Sequence, residues 1–204
     1  MNIQIIIPVR ALDDGKRRLS TVLTPSERRA LNGWFFRRTV AVARSVLPAS
    51  RILLVSAAPD LLAYGRAAGL VTVAEQQPGD LNAALRLGAL AARENGADAT
   101  LSVSCDLPFL GRDDLQAMID AARPCGVVLA PDRYGTGTNA LLVAPVGGIG
   151  FHYGQNSFQA HRDAAVRAKL PLTVMRRRGL GFDIDVSADL EAFGMSAQRL
   201  AATG

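Results

Sequence analysis

Apolar residues along this chain keep two rhythms, short β-prone runs and longer stretches of helical spacing, with turn residues between them. Ile3-Gln-Ile-Ile-Ile-Pro8 predicts a first strand near residues 3 to 9, followed by an irregular basic loop from Arg10 to Leu19. Thr24-Pro-Ser-Glu27 combines an N-cap, a first-turn proline and a capping-box Glu, which predicts a long helix to about Leu47, before Pro48. A strand over Arg51 to Ser56, a short helix over Asp60 to Ala68 closed by Gly69, and a strand over Val71 to Ala74 come next. A turn at Gln76 to Ala84 opens an alanine-rich helix ending near Asn95-Gly96. The fourth strand runs out at Asp106, a helix spans about Arg112 to Ala122, and Val127 to Ala130 forms the fifth strand.

Beyond this point the rhythm changes. A loop over Pro131 to Thr138, a strand over Asn139 to Ala144, a Gly-rich loop to Asn156 and a helix starting at Ser157 are expected. Strands near Leu172 to Met175 and Phe182 to Ile184, then a final helix from about Ser187, complete the pattern. Alternation of strand and helix makes this an α/β chain. No repeat, low-complexity segment or linker divides it, so 1–204 reads as a single domain with a substrate-binding lobe around 131–180 on a mixed sheet.

Composition narrows the function. The chain has 204 residues, 49% of them hydrophobic, enough for one substantial core. No apolar stretch approaches the roughly 20 residues that span a bilayer, and the first residues enter a strand in place of a signal peptide, so a cytoplasmic protein without a membrane partner is expected. Cys105 and Cys125 have neither metal nor disulfide spacing. The formal charge of +5 suits either nucleic acid or small anionic substrates. Basic residues are dispersed, with one run at Arg176-Arg177-Arg178, and aromatics reach only 5%, which argues against nucleic acid as a partner. Lys16 is one of two lysines among 23 basic residues.

The most informative stretch is Leu101-Ser-Val-Ser-Cys-Asp106-Leu-Pro108, an apolar run that ends in a carboxylate. Pro108 forbids an interior strand from continuing, and ligands of open α/β sheets sit beyond the carboxyl ends of strands. A second acidic cluster, Phe182-Asp183-Ile-Asp185, ends another β-like run. Brought together, the two clusters would form an oxygen-rich site suited to magnesium. Taken singly, the simpler reading is favoured, with Asp106 capping a turn and Asp183 and Asp185 facing solvent.

Five segments in fixed order carry a resemblance. They are Ile7-Pro-Val-Arg10 through Gly15-Lys16-Arg17-Arg18-Leu19; Gly79-Asp80-Leu-Asn82-Ala-Ala84; Asp106-Leu-Pro108; Pro131-Asp132-Arg133 through Gly137-Thr138-Asn139-Ala-Leu141; and Tyr153-Gly154-Gln-Asn-Ser157-Phe158-Gln-Ala-His161 followed by Asp183-Ile-Asp185. In these the chain resembles the guanylyltransferases of coenzyme F-420 biosynthesis, which act on 2-phospho-L-lactate, phosphoenolpyruvate or 3-phospho-D-glycerate. The resemblance implies a Rossmann-like nucleotidyltransferase fold, three-layer αβα with a mostly parallel mixed sheet. It implies Mg²⁺ on Asp106, Asp183 and Asp185, and acceptor contacts at Thr138, Gly154 and Ser157, with Arg133 and His161 as weaker candidates. Lys16 and Asp106 are the expected catalytic residues, and Arg10, Lys16, Asp80 and Asn82 the expected nucleotide contacts. GTP and a small phospho-carboxylic acid are the implied partners, together with a downstream transferase of the pathway, and the resemblance leaves room for a homodimer.

The chemistry is consistent with these residue types. Two phosphates repel each other, so a catalyst must neutralise charge and align attack in line with departing pyrophosphate. No nucleophilic side chain is needed, because the acceptor phosphate attacks. A hydroxyl at Thr138, a backbone amide at Gly154 and a helix start at Ser157 form an anion cradle, although Ser157 is also a good N-cap and Asp80 could be a helix cap. Gly15 and Arg17, where the family commonly has Ala and Ser, and Val186-Ser187, where it has Thr-Pro, are departures within two of these segments. Rival readings are another small nucleotidyltransferase, of molybdopterin or sugar-phosphate type, and a basic nucleic-acid-binding module. The former usually open with a Gly-rich loop after the first strand, where this chain has Pro8-Val-Arg10.

Overall fold

A computed structural model describes residues 1–76 and 79–194. Strands β1 (Ile3–Pro8), β2 (Ile52–Ser56), β3 (Val71–Ala74), β4 (Ala99–Val103), β5 (Gly126–Pro131), β6 (Thr138–Ala144) and β7 (Leu172–Val174) make one seven-stranded sheet in the order β3-β2-β1-β4-β6-β5-β7. All neighbours pair in parallel except β6, which runs antiparallel to both β4 and β5. The mostly parallel mixed sheet expected from the sequence is therefore what forms. The helices are α1 (Pro25–Val46), α2 (Pro59–Ala67), α3 (Leu81–Glu94), α4 (Arg112–Asp120), α5 (Ser157–Arg167), α6 (Arg178–Gly181) and α7 (Ser187–Phe193). Among the described residues, no helix is long and apolar enough to cross a membrane.

Strand parity builds the layers. Ile3, Ile5 and Ile7 of β1, with Leu54, Leu101 and Leu142, face α1, α2 and α4 through Phe36, Val40, Leu61, Leu115 and Met118. The opposite parity, Ile6, Val55, Leu129, Leu141 and Val143, faces α3 and α5 through Leu85, Ala89, Ala92, Phe158 and Ala165. Near-continuous burial of β1, β2 and β4 follows from this covering on both faces. Helix α3 lies so close to the sheet that a Cβ on Gly88 would stand 2.7 Å from Ile6 Cγ2. A third apolar cluster, Leu19, Leu23, Leu31, Phe35, Ile184 and Leu190, sits off the sheet and ties the basic loop and α1 to the segment around α7.

The helix starts follow the local chemistry. Thr24 and Glu27 form the expected capping box, Oγ1 accepting from Glu27 N at 3.3 Å and Glu27 Oε2 accepting from Thr24 N at 2.7 Å. Asp80 caps α3, accepting from Asn82 N at 2.8 Å and Ala83 N at 3.2 Å.

Three expectations need correction. The fourth strand stops at Val103, so Asp106 stands three residues past its end on the connection to α4, where Pro108 and the turn at Leu107–Leu110 end the pairing. Phe182–Ile184 is not a strand: α6 ends at Gly181 and the chain then turns, Ile184 filling the third cluster and its N–H donating to Asp106 O at 3.2 Å. Ser157 is the first residue of α5, not its cap, and Asn156 takes the cap position in the left-handed region (φ 56°) without a side-chain bond. Residues 77 and 78 of the expected turn and 195–204 of the expected final helix lie outside the described residues.

Gly179 has no room for a side chain, because a Cβ there would fall 1.8 Å from Asp114 Oδ2 and 2.9 Å from Phe109 O. Asp114 cannot yield, since it is held by Arg177 Nε at 2.7 Å and Gly111 N at 3.0 Å. Gly179→Ala is expected to destabilise the fold by about 1–3 kcal/mol, the usual range for overpacking. A denaturant midpoint equal to that of the parent would show that α6 is not pinned in this way.

Candidate active site

The sheet itself creates a crevice. Strands β1 and β4 are parallel neighbours, and the chain leaves β1 towards β2 on one side and β4 towards β5 on the other. Ligands of open α/β sheets occupy such switch points. Here a cavity of about 600 Å³ is lined by Arg10, Lys16, Ser104, Asp106 and Asp185.

Lys16 occupies its centre. Nζ lies 2.7 Å from Asp106 Oδ2 and 3.1 Å from Asp185 Oδ1, with the lysine side chain only 9% exposed. Burial opposes the ammonium charge, but the Asp106 and Asp185 carboxylates together outweigh it and raise the pKa above the ordinary lysine value. The residue adopts φ 57°, ψ 37°, a left-handed conformation that costs a non-glycine residue of order 1–3 kcal/mol and is held here by its surroundings. On one side, Leu19 and Leu23 of its loop are buried in the third cluster with Phe35 and Ile184. On the other, Asn32 Nδ2 donates to Leu12 O at 2.6 Å, and a Cβ on Gly15 would meet that same amide nitrogen at 2.5 Å. The glycine that departs from the family pattern is thus matched to Asn32.

The acidic turn has its own support. Burial, then the nearby charges of Asp106 and Asp185, push the Asp183 carboxyl up to about 6. Asp189, which the sequence reading did not single out, accepts from Asp185 N at 2.7 Å and Val186 N at 2.9 Å, so it fixes the backbone that carries Asp183 and Asp185. Asp189 also pairs with Arg133, whose guanidinium lies 4.2 Å from the Phe182 ring centroid. An Asp at the third position of the helix that follows the acidic run was the available signal.

Among the described residues, no three carboxylate, imidazole or thiol groups already form a metal cage. Asp106 Oδ1 is nevertheless buried without a hydrogen-bond partner, and Asp183 is disfavoured in its charged form by burial first and by its acidic neighbours second. A hard cation would relieve both, so the donor set fits magnesium.

The expected acceptor residues gather elsewhere on the same edge. Thr138 opens β6, Ser104 N donates to Asn139 O at 2.9 Å, and this bond joins the start of β6 to the chain leading to Asp106. Gly154 (φ +135°) and Asn156 precede the N-terminus of α5, and Ser157 is buried with no hydrogen bond to its hydroxyl among the described residues. Thr138 Oγ1 lies 3.0 Å from Nδ1 of the fully buried His161. Burial and then His152 lower the His161 pKa to about 4. Thr138, Gly154 and Ser157 do not line the 600 Å³ cavity. Asn82 ties the two regions together, donating from Nδ2 to Tyr153 O at 3.0 Å and accepting at Oδ1 from Tyr153 N at 2.7 Å. Arg10 donates to Gly79 O at 3.2 Å, and Asp80, besides capping α3, faces Arg86 at 3.6 Å.

Known proteins are similar to this chain in sequence and in fold. The chain is 37% identical over 187 residues to a phosphoenolpyruvate guanylyltransferase of Sphaerobacter thermophilus, covering 91% of this chain and 89% of that one. A protein of the same name from Rubrobacter xylanophilus is 37% identical over 192 residues, 93% and 92% of the two chains. The 2-phospho-L-lactate guanylyltransferase of Methanothermobacter thermautotrophicus is 33% identical over 186 residues, 91% and 81%. In fold, a protein of Desulfovibrio desulfuricans G20 described as a nucleotide-diphospho-sugar transferase superposes with a TM-score of 0.73 at 18% identity, over 99% of this chain and 95% of that one. A glucosyl-3-phosphoglycerate synthase from Mycobacterium tuberculosis, in complex with Mg²⁺ and uridine diphosphate, does so with a TM-score of 0.60 at 11% identity, over 99% and 77%. Residues 3–199 match the family described as guanylyl transferase CofC like, and the chain, a nucleotidyltransferase, belongs to that family.

Proposed function

We propose that this enzyme transfers GMP from GTP to the phosphate of a three-carbon phospho-acid, namely phosphoenolpyruvate, 2-phospho-L-lactate or 3-phospho-D-glycerate, in coenzyme F-420 biosynthesis. An acceptor phosphate oxygen bonds to the α-phosphorus of GTP as the bond to the β-phosphate oxygen breaks, and pyrophosphate leaves. The observation that carries the reading is the buried Lys16 ammonium between Asp106 and Asp185 beside an acidic turn, in a cavity large enough for a nucleotide. Lys16 and Arg10 would bind the triphosphate. When bound, Mg²⁺ would be held by Asp106 with Asp183 and Asp185, and would supply neutralisation of phosphate charge. The lobe around 131–180 would take the acceptor, through Thr138, Gly154 and Ser157 at the start of α5.

Asp80 and Asn82 support the nucleotide side by shaping the rim at the start of α3. A second cavity of about 580 Å³ meets the first at Arg10, Ala11, Leu12, Asp14 and Arg17 and is the natural place for the base. Of its carboxylates, Asp13 and Asp60 face Arg29 and Asp14 faces Arg17, while Glu75 has no hydrogen bond or ion pair from its side chain among the described residues. Guanine presents two adjacent N–H donors, at N1 and the 2-amino group, that one carboxylate can accept. Glu75→Ala is expected to reduce the preference for GTP over inosine triphosphate, which lacks the 2-amino group. An unchanged preference would remove Glu75 from base recognition.

A pyrophosphate-release assay crossing the four nucleotides with the three phospho-acids, coupled to the downstream transferase, tests the function. Turnover with GTP and at least one acceptor is expected, and release with none of the pairings would overturn the reading. Ser157→Ala should lower kcat/KM for the acceptor by roughly two- to tenfold, the equivalent of about 0.5–1.5 kcal/mol, and leave the KM for GTP unchanged. Weaker GTP binding with normal acceptor kinetics would contradict that division. Lys16→Ala should depress turnover at saturating substrates, with Lys16→Arg recovering only part of it, because a planar fork cannot replace a compact charge between two carboxylates. Near-normal saturated turnover of Lys16→Ala would reduce Lys16 to long-range attraction.

A further inference from the structure

His161 is fully buried, and the nucleotide chemistry described above does not use it. Both of its ring nitrogens are engaged. Nε2 receives the backbone N–H of His152 at 2.9 Å, and Nδ1 stands 3.0 Å from Thr138 Oγ1. A backbone N–H can only donate, so Nε2 must be unprotonated. A neutral imidazole carries one proton, which must then sit on Nδ1. Burial and the neighbouring His152 keep the ring neutral down to about pH 4. Among the described residues the other rings beside it leave this assignment unchanged: Tyr153 meets the ring edge-on at 5.0 Å with its own hydroxyl on Ser102 Oγ at 2.9 Å, and the His152 ring lies 5.8 Å away. The Ser157 carbonyl, one turn earlier on the helix, is a further acceptor for a ring N–H, and with Nε2 unprotonated that N–H is Nδ1–H.

The consequence falls on Thr138. A hydroxyl facing an N–H cannot donate to it, so Thr138 Oγ1 accepts from His161 and must direct its own proton elsewhere. Among the described residues its hydroxyl has no other partner. Beside it lie other donors without a protein acceptor: the Ser157 hydroxyl and the backbone N–H of Gly154. We infer that His161 is a positioning residue that fixes the Thr138 hydroxyl as a donor aimed at the anionic group of the acceptor, alongside the Ser157 hydroxyl and the Gly154 N–H. Donors converging in this way favour an anion over a neutral or protonated group, because each hydrogen bond is stronger to a charged acceptor. The inference rests on the acceptor-site reading above and specifies how that site tells charge.

Two measurements test it. Long-range ¹H–¹⁵N correlation spectra of the labelled full-length protein, with His152→Gln used to assign the two rings, should show His161 as the neutral tautomer with its proton on Nδ1 from neutral pH to below pH 6. A proton on Nε2, or an imidazolium in that range, would overturn the inference whatever the enzyme acts on. The second is a double-variant cycle read as acceptor KM. Thr138→Val and His161→Leu should each raise the KM for phosphoenolpyruvate, or for whichever acceptor turns over, by about tenfold or more, the loss of one hydrogen bond to a charged group, with GTP KM unchanged. The double variant should be no worse than either single, because both remove the same donated proton. His161→Asn, which can place an amide N–H near the Nδ1 position, should recover part of the loss. Multiplying effects, or equal losses for GTP, would mean that His161 serves packing only. If the parent turned over no phospho-acid, the functional reading would fall, and the tautomer spectrum would still decide the placement of the proton.

Discussion

One lysine ammonium between two carboxylates is the contact on which this site depends. Taking Lys16 out of water is costly, and that cost is met only because Asp106 and Asp185 approach from two different parts of the chain, one after β4 and one after α6. Removing Asp106, the less exposed of the two acids, would leave the buried ammonium with only the half-exposed Asp185 to balance it. The pair therefore needs both loops delivered accurately. The third apolar cluster does this, packing Leu19 and Leu23 of the lysine loop against Ile184 of the acidic turn. The left-handed backbone at Lys16 is sustained by the same packing.

From this contact outward the molecule is organised in tiers of support. Asp189 holds the peptide N–H groups of Asp185 and Val186, Arg133 holds Asp189, and Phe182 carries Arg133 on its ring face. On the acceptor side, Asn82 pairs with both backbone groups of Tyr153, which joins the first turn of α3 to the loop before α5. A nucleotide bound near the start of α3 and an acceptor bound near α5 would thereby share one frame. In-line phosphoryl chemistry requires that, because positioning and charge neutralisation supply nearly all of its catalysis.

Much of this was legible in the residues. The Thr24 to Glu27 box, the alternation in β1 and the break at Pro108 specify local structure through their own chemistry, and the α/β order follows from them. The alternating Phe182-Asp-Ile184-Asp run looked like a strand, yet its apolar residues serve a satellite cluster in a turn, an outcome decided by tertiary packing. Asp189 was missed because its importance depends on Arg133, 56 positions away, and on two peptide groups whose direction no sequence pattern encodes. Asn82 was expected at the nucleotide, and that its amide also binds both backbone groups of Tyr153, 71 positions away, is something no local pattern encodes. Single residues with local roles are readable from sequence, whereas residues that join distant segments become visible only once the fold brings them together.

The central claim is that Lys16 supplies the positive charge around which Asp106 and Asp185 are arranged. Calorimetric titration of the nucleotide-free enzyme with Mg²⁺, compared with Lys16→Met, measures this directly. With the ammonium gone, the carboxylates lose their counter-charge and should bind the metal more tightly than the parent does. Equal or weaker Mg²⁺ affinity in Lys16→Met would contradict the account.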